Sequence, residues 1–89
     1  MSNTLVPKKP PKSVKLEYYI TTFDIDTSEY IDFILCKNYT EAKKLYKVTG
    51  ESQPSKIYVS LLMKTIKVYK NETKTSDTVL ACTAGKVKN

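Results

Sequence analysis

Eighty-nine residues, 40% of them apolar and 27% charged, with a net charge of +6, suffice for one globular domain with a single modest core. Unbroken apolar stretches such as Phe33 to Cys36 and Leu61 to Met63 fall far short of the roughly 18 residues a membrane-spanning helix needs, so no membrane is expected as a partner. No apolar segment follows the N-terminal lysines and prolines as a secretory signal would require, so the expected location is cytoplasmic.

In chain order, Met1 to Ser13 carries Lys8, Lys9 and Lys12 among Pro7, Pro10 and Pro11, which reads as a flexible, polyproline-like basic arm over residues 1–13. A single domain is expected over 14–85. From Val14 the pattern alternates, with Val14, Leu16, Tyr18 and Ile20 on one face and Lys15, Glu17, Tyr19 and Thr21 on the other, as in a half-buried strand. Phe23 and Ile25 continue on the opposite parity, which implies a bulge or twist near Thr21 and Thr22. Asp26 to Glu29 then reads as a hairpin turn, and Tyr30 to Lys37 as the returning strand, with Ile31, Phe33 and Leu35 facing one way.

Asn38 followed by Glu41 has the form of a helix N-cap with a reciprocating acid. Ala42, Leu45, Tyr46 and Thr49 follow as the inward stripe, Lys43, Lys44 and Lys47 fall outside it, and Gly50 sits where a left-handed C-terminal cap would belong. Lys56 to Lys70 fits two periods. Ile57, Val59, Leu61 and Met63, then Ile66 and Val68 on the other parity, suit two strands or one bulged strand. Tyr58, Leu61, Leu62, Thr65, Ile66 and Tyr69 make an equally clean helical stripe, and β-branched content tips the choice to strand. A turn over Asn71 to Asp77 and a strand over Thr78 to Thr83 complete a hairpin, with residues 86–89 as a short basic tail. The expected fold is α+β in the order ββα-ββ, a small antiparallel sheet with one short helix packed on a face.

The chain has no His, which removes the usual general base and the commonest metal ligand, and two cysteines are too few for a structural zinc site. No enzyme activity, metal or cofactor is expected. Asp24 and Asp26 could in principle form an acid/base pair, but beside a hairpin turn they read as solvated turn residues. Cys36, just before the helix, is the one nucleophile hint, without a His to activate it. Cys36 and Cys82 read as buried free thiols acting as small apolar residues, with pairing across two strands as the alternative.

Charge is segregated. Five of the nine acids, Glu17, Asp24, Asp26, Glu29 and Asp32, lie between residues 17 and 32, where no lysine occurs, while eleven lysines face four acids from Lys37 onward. All fifteen cations are lysine, which gives point charges without the planar fork that reads bases, so neutralisation of a nucleic-acid backbone is expected over sequence-specific reading.

Two functions fit. In the first, a small basic binding protein contacts nucleic acid through Lys8, Lys9 and Lys12 of the arm, Lys43, Lys44 and Lys47 of the helix, and a second row of Lys64, Lys67 and Lys70. In the second, an inhibitor or adaptor of the kind mobile genetic elements encode docks on a larger protein, itself a handler of nucleic acid, through Tyr-rich strands and the acidic hairpin. Tyr19, Asp24, Asp26, Glu29, Tyr39 and Tyr69 are then the interface candidates. The strand Lys56 to Lys70 would also offer its edge for pairing with a second copy as a homodimer.

Overall fold

The computed structural model describes residues 10–88; Lys8 and Lys9 of the arm lie outside them. The chain forms β1 (Ser13–Asp24), β2 (Glu29–Cys36), α1 (Tyr39–Ser52), β3 (Ile57–Val68) and β4 (Thr73–Ala84). The strands make one antiparallel sheet in the order β2-β1-β3-β4 with α1 on one face, the α+β arrangement that the alternation predicts.

The first hairpin turns on Asp24, whose carboxylate accepts the backbone N–H of Asp26 at 2.9 Å and of Thr27 at 3.4 Å, an Asx-type turn. Ser28 closes it with φ of 58°, a left-handed conformation that costs a non-glycine residue about 1 kcal/mol. The register shift between Thr22 and Phe23 lies opposite Asp32 and Tyr30, so the extra residue is Ile31 in β2 and not a residue of β1.

Helix α1 starts at the expected cap, with Asn38 Oδ1 accepting Glu41 N–H at 2.8 Å. Its end differs from expectation. Gly50 is helical and buried, no glycine has positive φ, and the helix runs to Ser52, where Gln53 N–H donates to Thr49 O at 3.0 Å. Gly50 instead permits close approach, because a Cβ there would sit 3.3 Å from Thr83 Cγ2. The inward stripe holds: Ala42 is buried, and Leu45 and Tyr46 pack on Ile20, Cys36, Val59 and Leu61.

Residues 57–68 form one strand, which settles the helix-or-strand question, and its pairing with β1 is unbroken from Asp24↔Ile57 to Ser13↔Val68. The parity switch is therefore not a bulge in β3. Ile57, Val59 and Leu61 are buried on the face that α1 covers, while Ile66 and Val68 point to the opposite face further along. β3 also lies inside the sheet, so dimerisation through its edge is closed; the edges are β2 and β4.

The residues after β4 are tied down. Gly85 N–H donates to Ile57 O at 2.8 Å, Lys86 N–H to Gly50 O at 2.9 Å and Val87 N–H to Gln53 O at 3.0 Å, which pins Lys86 and Val87 beside the end of α1.

Candidate functional site

Each strand exposes alternate residues on the face opposite α1. The register brings three cross-strand rows together there: Leu35, Tyr19, Leu62 and Val79; Phe33, Thr21, Ser60 and Cys82; Tyr30, Phe23, Tyr58 and Ala84. No helix or strand of the described residues covers this face. Phe33 and Val79 are each 61% exposed, Tyr30 59%, Leu35 57% and Tyr58 43%. The rings hold one another in place, with Phe23 and Tyr30 centroids 4.9 Å apart edge to face and Tyr30 and Phe33 5.0 Å apart. Thr21, only 1% exposed, lies beneath them as the floor. Tyr19, Phe33, Leu62, Lys64 and Asp77 line a shallow pit of about 140 Å³. At about 150–250 Å² for each whole aromatic side chain, the five exposed residues present on the order of 500 Å² of contiguous apolar surface, the size at which a patch on a monomer is often functional.

Charges frame this face at both ends. At the turn, Asp26 and Glu29 are exposed and have no ion pair among the described residues, but Glu29 shares the row of Asp24 and buried Ile57 and so lies on the helix side. Asp24 is committed to the turn and lies 3.9 Å from Lys56 Nζ, so it builds the hairpin and is not a free contact residue. Toward the other end, Tyr19 O–H donates to Glu17 at 2.9 Å, with Lys15 Nζ 3.5 Å from the same carboxylate. That hydrogen bond from Tyr19 lowers the Glu17 pKa, helped by Lys15, and raises that of Tyr19. Beyond Cys36, where β2 ends, Lys15, Glu17, Leu35, Lys37 and Glu41 line a depression of mixed charge, about 540 Å³, beside the part of β1 that β2 does not reach.

The lysines divide differently from the sequence expectation. Lys43, Lys44 and Lys47 are exposed on α1 and none has an ion pair among the described residues. Lys43 Nζ sits 4.7 Å over the Tyr39 ring, itself 5.3 Å from Tyr18. Lys64, Lys67 and Lys70 do not form a second row. Lys64 faces the open side beside Tyr19, Lys67 is on the helix side, and Lys70 is in the turn beyond β3, because neighbours three apart in a strand alternate faces. Lys12, exposed, meets the end of β3 through its N–H on Val68 O at 2.7 Å.

Of the expected interface tyrosines only Tyr19 belongs to the open face. Tyr39 is on α1, and Tyr69 lies past β3 with Lys74 Nζ 5.9 Å over its ring. Tyr30, Phe33, Leu35, Tyr58 and Val79 were not expected there, although β2 carries apolar residues on both parities and one short helix covers only one side.

The cysteines also differ from expectation. Cys36 is buried on the helix side and Cys82 exposed on the open side, both free, so only Cys36 acts as a core residue and the two do not pair. Burial, with Glu41 nearby, pushes the Cys36 thiol pKa up, the opposite of what a nucleophile needs. No helix among the described residues is long and apolar enough to cross a membrane.

Comparison with protein-family models, with curated proteins and with solved structures returns no match.

Proposed function

We propose that this chain is a non-enzymatic binding domain, an inhibitor or adaptor in kind, that docks on a protein surface through the open face of its sheet. The observation that carries this reading is the contiguous uncovered patch built on Tyr30, Phe33, Leu35, Tyr58 and Val79. Removing roughly 500 Å² from water is worth about 12 kcal/mol gross at 25 cal/mol per Å². Association costs of about 4–15 kcal/mol take up much of that, so the patch suits a specific contact of moderate affinity. The partner it fits has an apolar centre with a cation beside it, which meets Asp26 at the turn. A cytoplasmic setting suits two unpaired thiols.

A photo-crosslinking amino acid at position 33, compared with one at position 44 on α1, tests this in the source cells. A discrete protein adduct from position 33, absent from position 44 and lost with Leu35→Lys, is the expected result. Adducts of equal yield at both positions would refute it.

A second reading, backbone contact with nucleic acid, is favoured by Lys43, Lys44 and Lys47, three cations on one helix without an ion pair among the described residues. Three phosphate contacts imply a slope of about −2.7 in log affinity against log salt on duplex DNA. Binding to a short labelled duplex that is unchanged when all three are replaced by Glu would exclude it.

A further inference from the structure

We infer that the end of the sheet that α1 leaves bare on its own side binds single-stranded nucleic acid, with Lys12, Lys67 and Lys74 on its phosphates and Tyr69 against a base. The site is separate from the open face and from the lysines of α1, and it stands independently of the docking reading.

Helix α1 begins just after Cys36, which pairs with Tyr18. It ends at the level of Ile57 and Asp24, because Gly85 N–H bonds Ile57 O while the N–H of Lys86 bonds Gly50 O. The helix therefore lies over the levels of Tyr18 to Asp24 and leaves Ser13 to Glu17 of β1, with the ends of β3 and β4 beside them, uncovered on its own side. At about 3.4 Å per residue this shelf runs on the order of 17 Å beyond the helix. Val14 and Leu16 point onto it and are 55% and 47% exposed.

The register sets Lys67 between Val14 and Lys74, all three on the shelf and both lysines exposed. Like charges directly opposite on neighbouring strands repel and destabilise the sheet. Lys67 has no ion pair among the described residues. Lys74 has Glu72 at 3.7 Å, but both side chains are more than half exposed, so that pair adds little. An anion held above Lys67 and Lys74 turns their repulsion into binding.

Next to this pair the chain turns through Tyr69, whose N–H bonds Glu72 O at 2.8 Å, and Lys74 Nζ lies 5.9 Å over the half-buried Tyr69 ring. Lys12, Tyr69, Lys70 and Asn71 line a depression of about 580 Å³ with Pro10 and Glu72. The sequence adds Lys8 and Lys9 directly before Pro10. A tyrosine ring in a depression framed by lysines offers a π-face to a base beside charges for its phosphates, the combination that single-strand binders use. A duplex keeps its bases stacked and cannot use the ring. An acidic protein segment would satisfy the lysines but gives the ring no planar partner.

Fluorescence anisotropy of labelled oligothymidylate and oligouridylate with the full chain, across a salt series, tests this, and the preferred one of the two separates DNA from RNA. Binding to at least one is expected, with log affinity falling against log salt at a slope of about −2.1, for three lysines at ~0.7 each. Lys67→Gln with Lys74→Gln should cut that slope to about −0.7 and weaken binding at low salt by about tenfold or more, with the far-UV circular dichroism unchanged. Tyr69→Leu, which leaves the charges in place, should weaken binding roughly tenfold at the same slope. A chain with Lys43, Lys44 and Lys47 all replaced by Gln should bind as the wild type does. No binding to either oligonucleotide at low salt, or binding that both shelf variants leave unchanged, overturns the inference. Loss of binding in the α1 variant instead would assign the contact to the helix, and poly-glutamate that displaces the oligonucleotide at equal charge would assign the shelf to an acidic protein segment; either result overturns it as well. None of these outcomes bears on the position-33 adduct that tests the open face.

Discussion

Gly85→Ala should be among the most damaging single substitutions in this chain, although it adds one methyl group. Gly85 is buried where the chain leaves β4 and crosses the loop after α1, and its φ is not positive, so the requirement is space and not backbone freedom. A Cβ at this position would lie 2.2 Å from both Gln53 O and Pro54 O. Backbone atoms cannot swing aside as a side chain can, and both carbonyls are engaged: Gln53 O accepts Val87 N–H at 3.0 Å and Pro54 O accepts Ile57 N–H at 2.9 Å. Overpacking costs about 1–3 kcal/mol. Displacing two hydrogen-bonded carbonyls adds about 1 kcal/mol each, for roughly 3–5 kcal/mol in all. A domain of this length has about 4–13 kcal/mol of stability, so the variant should lose at least ~12 °C in Tm at ~4 °C per kcal/mol, or fail to fold. Urea and thermal unfolding followed by circular dichroism measure this, with Gly50→Ala as the control. A Cβ at Gly50 meets only the Thr83 methyl at 3.3 Å, and Ala regains about 1 kcal/mol of helix propensity, so that variant should stay within ~1 kcal/mol of wild type. A Gly85→Ala protein as stable as Gly50→Ala would refute the reasoning.

Ser28→Gly should stabilise the hairpin by about 0.5–1 kcal/mol by relieving its left-handed φ of 58°; a lower midpoint in urea would show that the strain is not real. In the native state a maleimide should label Cys82 and spare Cys36, whose thiol is buried and whose pKa is raised; equal labelling rates in absence of denaturant would contradict the core assignment. Burial raises the pKa of both Cys36 and Tyr46, so each favours the fold in its neutral form. The stability they contribute is whole below their unfolded values of 9.0 and 10.0 and is lost as pH rises through the folded ones, so Tm should fall from about pH 9 upward, and a flat profile there would count against their burial. Tyr19→Phe should raise the Glu17 pKa, read by carbon-detected NMR titration, because the hydrogen bond from Tyr19 is the largest cause of its depression; an unmoved midpoint would assign the shift to Lys15 instead.

The elements of this fold were legible because each has a local cause: alternation in β1, the Asn38 cap, and the β-branched residues of β3. What sequence could not supply was which of two faces a strand turns toward the one helix. In β2, Ile31, Phe33 and Leu35 alternate as well as Tyr30, Ile34 and Cys36 do, yet only Cys36 is buried. The choice is made elsewhere, by the pairing of Cys36 with Tyr18 under α1 and by the extra residue Ile31, which resets the parity between turn and strand. The same non-local pairing scatters Lys64 and Lys67 to opposite faces and separates Tyr19 from Tyr39 and Tyr69. Counting, however, was open to sequence reading. Apolar residues on both parities of β2, together with Phe23, Tyr58, Leu62 and Val79, exceed what a 14-residue helix can cover on one side of a four-stranded sheet. On the docking reading proposed above, so much apolar surface beyond the reach of the chain's own helix is held for another molecule, and exposed Asp26 at the turn favours one with a cation at that end.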